Sequence, residues 1–307
     1  MSRKIIISGA TGLIGKELCK QLISRGDEIS IFTSNPSKAK FLIKGAKEYI
    51  FWNYQKPEEW ENYIYGKDSI VHLAGANINS KRWTESYKKA ILTSRELSTK
   101  NIVRAIESTT AKPVLFISSS AVGFYGNAGD NILTEESSNG KDFLSEVCRV
   151  WEEASEKVEL LGIRRVIIRT GIALSTNGGA LKKMLIPFKL FLGGYLGTGK
   201  QWFPWIHIKD LIKIYIYALD NSSLHGIVNA VSINPVREFE FAKCIGNTIR
   251  RPSFLPVPLF ALRLTVGKAA ESIIASQRAM PKRLLEAGFK FRYEKLEEAL
   301  IDLLRNR

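Results

Sequence analysis

Three consecutive branched apolar residues, Ile5-Ile6-Ile7, stand near the start of the chain. An unbroken apolar run of this kind predicts a strand buried on both faces, as in a parallel sheet. Glycine then occupies positions 9, 12 and 15, while Ile14, Leu18 and Leu22 recur at helical spacing. A helix is therefore expected to begin inside the glycine run. Later apolar runs predict strands over Glu28–Thr33, Glu48–Asn53, Ser69–Leu73, Val114–Ser118 and Arg165–Arg169. Between them, helical patterns predict helices over Ser37–Lys44, Pro57–Tyr65, Thr84–Ser108 and Leu144–Leu160. Another helix opens at Pro204–Leu211, and Leu296, Leu300, Leu303 and Leu304 line one face of a final helix over Glu294–Leu304. Alternating strands and helices imply an α/β fold with a doubly wound parallel sheet and right-handed crossovers.

The order strand, glycine turn, helix is the context in which dinucleotide phosphates bind. Gly9 allows the tight turn, Gly12 lets backbone approach a pyrophosphate, and Gly15 lets helix and strand pack closely. Free N–H groups and the helix dipole favour negative charge at that tip. Thr11, Leu13 and Ile14 complete the candidate cradle.

Ligands of such sheets lie at the carboxyl ends of the strands. After the second strand come Thr33, Ser34 and Lys38, with no Asp or Glu to hold a ribose 2′-hydroxyl. Small hydroxyls and a lysine suit a 2′-phosphate, so NADP(H) is expected, with NAD as the alternative. Ser37 is the competing reading, as a helix cap. After the fourth strand, Leu73-Ala74-Gly75 lets adenine and ribose lie against backbone. The next helix carries Ser94-Arg95. Ser94 is a cofactor candidate; Arg95 reads either as reaching a cofactor phosphate or, the commoner case on a helix, as a surface arginine. Ser118, Ser119 and Ser120 follow the fifth strand, and Arg169, Thr170 and Gly171 follow the sixth.

Length and composition fit one large α/β unit or a domain with a smaller lobe. The 307 residues carry a formal net charge of +15. Lys and Arg are spread along the chain, and no nucleic-acid-binding signature is present, so nucleic acid is not the expected partner. Three scattered cysteines, Cys19, Cys148 and Cys244, suit a reduced cytoplasmic setting. No stretch is long and apolar enough to span a bilayer. A small-molecule substrate is the expected partner, and the oligomeric state is open.

The segment Gly9-Ala10-Thr11-Gly12-Leu13-Ile14-Gly15 resembles the extended short-chain dehydrogenase/reductase superfamily. Gly178-Gly179-Ala180-Leu181, Pro204-Trp205-Ile206-His207 and Pro281-Lys282-Arg283-Leu284-Leu285 narrow the likeness to its atypical, SDR39U1-like group, over residues 3 to about 304. The resemblance implies NADP(H) binding on a Rossmann-type core over 1–173, with 202–232 returning to it. A smaller substrate lobe would cover 174–307. Epimerase or oxidoreductase chemistry on a small polar substrate, such as a nucleoside-diphosphate sugar, is expected. In the superfamily a serine at about Ser120 hydrogen-bonds the reacting group, while a tyrosine and a lysine four residues on supply the acid/base. Here Leu144 and Cys148 fall at those two places, or Ser145 and Arg149 one residue along. The only literal Tyr-x-x-x-Lys, Tyr63 to Lys67, precedes the fourth strand. Tyr125 is the replacement acid considered first, with Glu135 and Glu146 behind it. His207 reads as orienting a helix start in preference to donating a proton. A cofactor-binding sensor or scaffold without turnover is the alternative to an enzyme. Aromatics and glycines between Met184 and Phe203 predict a mobile loop over the cleft.

Overall fold

The computed structural model describes residues 2–305. Its centre is a seven-stranded sheet: β1 (Lys4–Ser8), β2 (Glu28–Thr33), β3 (Glu48–Phe51), β4 (Ser69–His72), β5 (Leu115–Ala121), β6 (Arg164–Thr170) and β7 (Gly226–Ala230). Every pairing is parallel, in the order β7-β6-β5-β4-β1-β2-β3. The chain works outward from β1 to β3, then crosses back to β4 and works outward the other way. The order therefore reverses between β1 and β4, which opens a crevice at their carboxyl ends.

Alternation along β1 explains why its isoleucines are unbroken. Ile5 and Ile7 enter one core with Ile29, Ile31, Val71 and Ile117, while Ile6 enters the other with Phe32, Ile70 and Phe116. Both faces are covered by helices, so neither face needs polar residues. The helices of seven residues or more are α1 (Leu13–Arg25), α2 (Pro36–Leu42), α3 (Glu85–Ser108), α4 (Phe143–Glu153), α5 (Gly179–Lys189), α6 (Ile208–Asp220), α7 (Glu238–Ile249), α8 (Leu259–Val266) and α9 (Leu296–Leu304). Leu181, Leu185, Phe188, Phe241 and Leu300 from the second half share the core that holds α1 and β1.

Several elements differ from the sequence expectation. The helix expected over Pro57–Tyr65 is two 3₁₀ turns, Pro57–Glu59 and Glu61–Ile64. Trp60 between them is buried, and its indole donates to the Asn53 carbonyl at 2.8 Å. That anchor holds the chain out of helical register. The helix expected over Leu144–Leu160 stops at Glu153, and a separate turn spans Lys157–Leu160. The buried Ser155 hydroxyl donates to the Glu152 carbonyl at the break. α2 is capped by Asn35, whose side chain accepts from Lys38 N, so Ser37 lies inside the helix. The strand β7 was not marked by any apolar run long enough to predict it. The expected loop over Met184–Phe203 is instead α5 followed by a tethered strap. Leu255 N donates to Gly193 O, and Val257 N to Tyr195 O.

Candidate functional site

At the crevice, three glycines leave room that side chains would fill. Gly9 has φ +69°, and a Cβ there would lie 2.7 Å from Leu73 C and 2.8 Å from Ala74 N. β1 and β4 thus meet backbone to backbone. A Cβ on Gly15 would lie 2.5 Å from Gly9 O and 2.6 Å from Ala10 Cα, so α1 is seated directly on the turn. Gly12 is the N-cap of α1, and its N–H donates to Gly9 O at 3.0 Å. No side chain caps α1 and no acid stands in its first turn, which leaves amide donors unanswered. Thr11, Leu13 and Ile14 are half-buried around this tip. Leu13 also meets the Gly178-Gly179 start of α5. Beneath the crevice, Ser8 Oγ contacts His72 Nδ1 at 2.7 Å, and His72 Nε2 contacts Ser98 Oγ at 3.1 Å. This buried chain fixes the two strand ends on which the turn rests.

The flanking candidates divide by what their side chains touch. Ser34 and Lys38 are exposed at the end of β2, and Lys38 makes no ion pair among the described residues. Thr33 Oγ1 accepts from Asn35 N at 3.2 Å. Ser94 accepts from Ala76 N and donates to Ile91 O, both at 3.0 Å, so it pins the loop after Leu73-Ala74-Gly75. Thr170 is half-buried, and a Cβ on Gly171 would lie 2.3 Å from Pro204 O.

Ser118, Ser119 and Ser120 lie within β5, not after it, and form the inner end of a buried polar chain. Ser118 Oγ donates to Ser119 O, and Ser119 Oγ contacts the Tyr215 hydroxyl at 2.6 Å. Ser120 Oγ donates to Glu152 Oε1 at 2.6 Å. Arg169 donates to both oxygens of Glu152, at 2.9 and 2.8 Å. Its Nη1 donates to the Tyr125 hydroxyl at 3.0 Å, which donates in turn to Asn229 Oδ1 at 2.7 Å. Asn229 N donates to Glu135 Oε1 at 2.9 Å. Burial works against the charge of Arg169, yet the Glu152 carboxylate outweighs it and holds the pKa above its usual value. Burial pushes Tyr125 and Glu135 up. Tyr125 is only 3% exposed, with its hydroxyl engaged on both sides, which makes it a strut of the network and not an open acid. Glu146 lies on the outer face of α4, paired with Arg149.

On the inner face of α4, Leu144 and Cys148 approach Gly123, whose Cβ would lie 3.6 Å from Leu144 Cβ and 3.9 Å from Cys148 Sγ. Burial pushes the Cys148 thiol up to about 11. Lys67 is bonded to Ser30 and Glu48 at the amino ends of the strands, far from any ligand edge. His207 is fully buried and caps α6, accepting from Lys209 N at 3.0 Å. Its Nε2 stands 3.2 Å from Asp302.

Two partners escaped sequence reasoning. Glu152 follows Cys148 by four residues and Leu144 by eight, so helical spacing alone puts it on the inner face. Asn229 had no such signal, because its strand was not foreseen. A groove of about 810 Å³ lies farther out, bounded by Asn127, Asp130, Lys200, Gln201 and Arg237. Beside it, Trp202 has the guanidinium of Arg237 4.1 Å and that of Arg278 4.5 Å from its ring centroid.

Residues 5–147 match the NAD dependent epimerase/dehydratase family, and residues 257–303 match a domain of unknown function, DUF1731. The chloroplastic SDR39U1 homolog of Arabidopsis thaliana, an epimerase family protein, is 39% identical over 298 residues, covering 96% of this chain and 85% of its own. The crystal structure of human epimerase family protein SDR39U1 with NADPH has a TM-score of 0.87 at 30% identity, over 99% of both chains. The nucleoside-diphosphate sugar epimerase from Corynebacterium glutamicum has a TM-score of 0.78 at 34% identity, over 100% of this chain and 59% of that one. On this evidence the chain belongs to the SDR39U1-like epimerase family proteins, within the NAD dependent epimerase/dehydratase family.

Proposed function

We propose that this protein binds NADP(H) across the β1/β4 crevice and uses it in oxidoreductase or epimerase chemistry on a small polar, nucleotide-linked substrate. The observation that carries the reading is the side-chain-free turn at Gly9, Gly12 and Gly15, set under an uncapped helix. Human SDR39U1, of the same fold, is bound to NADPH. The turn and the tip of α1 would hold the diphosphate. Thr33, Ser34 and Lys38 would face the adenosine 2′-phosphate, with no acid there to repel it. Ser118, Ser119, Ser120, Arg169, Thr170 and Gly171 would line the nicotinamide side. The cofactor supplies hydride transfer, and the protein supplies orientation and exclusion of water. A lobe built from 174–307 would hold the substrate. Lys200, beside the Arg237–Asp130 ion pair at its groove, favours an anionic ligand, such as a nucleoside-diphosphate sugar.

A second reading is a cofactor-binding sensor without turnover. Leu144 and Cys148 on the inner face of α4 favour it, because neither moves a proton near neutral pH. Thermal melting with NADPH and with NADH tests the shared part. At ~100 times its Kd the ligand should stabilise by ~2.7 kcal/mol. NADPH is expected to shift the melt at lower concentration than NADH, and no shift with either sinks both readings. Ser120→Ala separates the two. An enzyme should lose turnover while still binding NADPH, whereas a sensor should show no NADPH oxidation by any candidate substrate in either form.

A further inference from the structure

No helix among the described residues is long and apolar enough to cross a membrane, but a helix that lies on one needs only an exposed apolar side flanked by cations. α5 ends on such a surface. Leu181, Leu185 and Phe188 face the core. Lys182, Lys183, Ile186, Lys189 and Leu190 are exposed on its outer side. The chain leaves the helix through Phe191 and Leu192, and the segment around Phe254 is laid against it. Leu255 N donates to Gly193 O at 3.2 Å, and a Cβ on Gly193 would lie 2.5 Å from Pro252 O. Ile186, Leu190, Phe191, Leu192 and Phe254 are 56–71% exposed. Side chains this exposed protrude from the surface and do not line a groove. Phe191 is held there against its backbone preference, at φ +63°, a left-handed value that a bulky residue rarely adopts. The Arg251 guanidinium lies 4.2 Å from its ring centroid, and the neighbouring Arg250 also has a positive φ, +55°. Strain that turns an aromatic ring toward solvent points to something that the ring meets there.

Charge selects the occupant. Between Glu159 and Asp210, and again between Glu240 and Glu271, the sequence has no Asp or Glu. Both segments of this surface fall in those acid-free stretches. Among the described residues Lys182, Lys183, Lys189, Arg250 and Arg251 form no ion pair with a carboxylate. A second copy of the chain on this surface would set cation against cation. A layer of lipid phosphates over an apolar interior answers both features at once.

We propose that the outer side of α5, with Phe191, Leu192 and Phe254, docks this protein on a membrane surface that carries anionic lipid. The apolar side chains enter the boundary between headgroups and acyl chains, and the lysines and arginines meet lipid phosphates. The inference stands whether or not NADP(H) binds. Sedimentation of the full chain with vesicles tests it, one set of phosphatidylcholine alone and one mixed with phosphatidylglycerol. The wild type should bind the mixed vesicles at least about tenfold more tightly, and salt should weaken that binding. Phe191→Ser with Leu192→Ser should weaken it about 10- to 100-fold, the range for apolar side chains withdrawn from lipid. Lys182→Glu with Lys183→Glu should weaken it about tenfold or more. Phe41→Ser, at an exposed phenylalanine of α2, should change nothing. If the serine pair fails to fold on thermal melting, Phe191→Gly carries the comparison. Glycine adopts φ +63° freely, so Tm should hold or rise while vesicle binding weakens. Mixed-vesicle binding equal in the wild type and the serine pair overturns the proposal, because net charge alone then carries adsorption. Equal binding to the two vesicle types overturns it, as does a Tm lowered by several degrees in Phe191→Gly, which marks the ring as packing. A chain that ignores both vesicle types overturns it as well, and a dimer dissolved by the serine pair would then put a second copy on this surface.

Discussion

Gly9 and Gly12 sit three residues apart under different constraints. A side chain on Gly9 faces both a left-handed φ of +69° and the backbone of Leu73 and Ala74. Gly9→Ala should therefore destabilise the fold by about 1–3 kcal/mol or more, seen as a lowered Tm, and abolish NADPH binding. A side chain on Gly12 would meet only Gly9 O, at 3.2 Å. Gly12→Ala should leave Tm within a few degrees while sharply weakening NADPH, because the methyl group occupies the ligand's approach. Equal stability losses in the two variants would contradict this assignment. The glycine turn was legible in the sequence because its causes are local: an apolar triplet, a spacing of three, then a helical period. Tyr125 was not, because its hydroxyl is answered by Asn229, 104 residues away, and by Arg169, 44 residues away. The surface reading of Arg95 failed for a similar reason, since its seat is Gly75 on another element.

Between elements, the Glu152–Arg169 pair joins α4 to β6, and Tyr125 extends it to β7 through Asn229. Glu152 and Arg169 are 7% and 2% exposed. Removing the charge of one partner leaves the other buried and unanswered, at a cost of about 3–5 kcal/mol. Glu152→Gln should show that loss in urea unfolding. Glu152→Met with Arg169→Met should recover at least half of it, because no orphaned charge remains. A double variant as unstable as the sum of its singles would mean the pair is not coupled. Element boundaries were also where sequence reasoning strayed. Periodicity carried the helix from Leu144 to Leu160, yet the Ser155 bond to the Glu152 carbonyl turns the chain at the end of α4. Pro57–Tyr65 has enough helical pattern to read as a helix, but burying Trp60 against Asn53 overrides it. Strand existence was easier to read, since the strands of a two-sided core are apolar without interruption.

Across the whole molecule, protonation couples these sites to stability. Burial pushes His72 down to about 3 and His207 to about 4, from 6.5. Above pH 6.5 both are neutral folded or unfolded, so they favour neither state. Below it the unfolded chain takes up protons that the fold refuses. Stability is then lost, on the order of 1 kcal/mol per pH unit for each histidine, down to about pH 4 for His207 and about pH 3 for His72. Glu238 acts with the opposite sign. Burial pushes it up to about 7 from 4.5, so the fold keeps a proton that the unfolded chain releases, and stability falls as pH rises from 4.5 to 7. Between pH 4.5 and 6.5 the three partly cancel, and the net charge of +15 adds a repulsion common to every variant. Differences between variants isolate each group. His207→Asn keeps an acceptor for Lys209 N and cannot titrate. Its urea-unfolding free energy should fall less than that of the wild type between pH 6.5 and 5. Glu238→Gln keeps an acceptor for Leu196 N, bonded at 2.7 Å. Its stability should fall more steeply with acid than the wild type's, because the opposing contribution is gone. Parallel pH profiles for the wild type and His207→Asn would show that His207 takes its proton in the fold as easily as in the unfolded chain, and the buried cap at the start of α6 would then need another description.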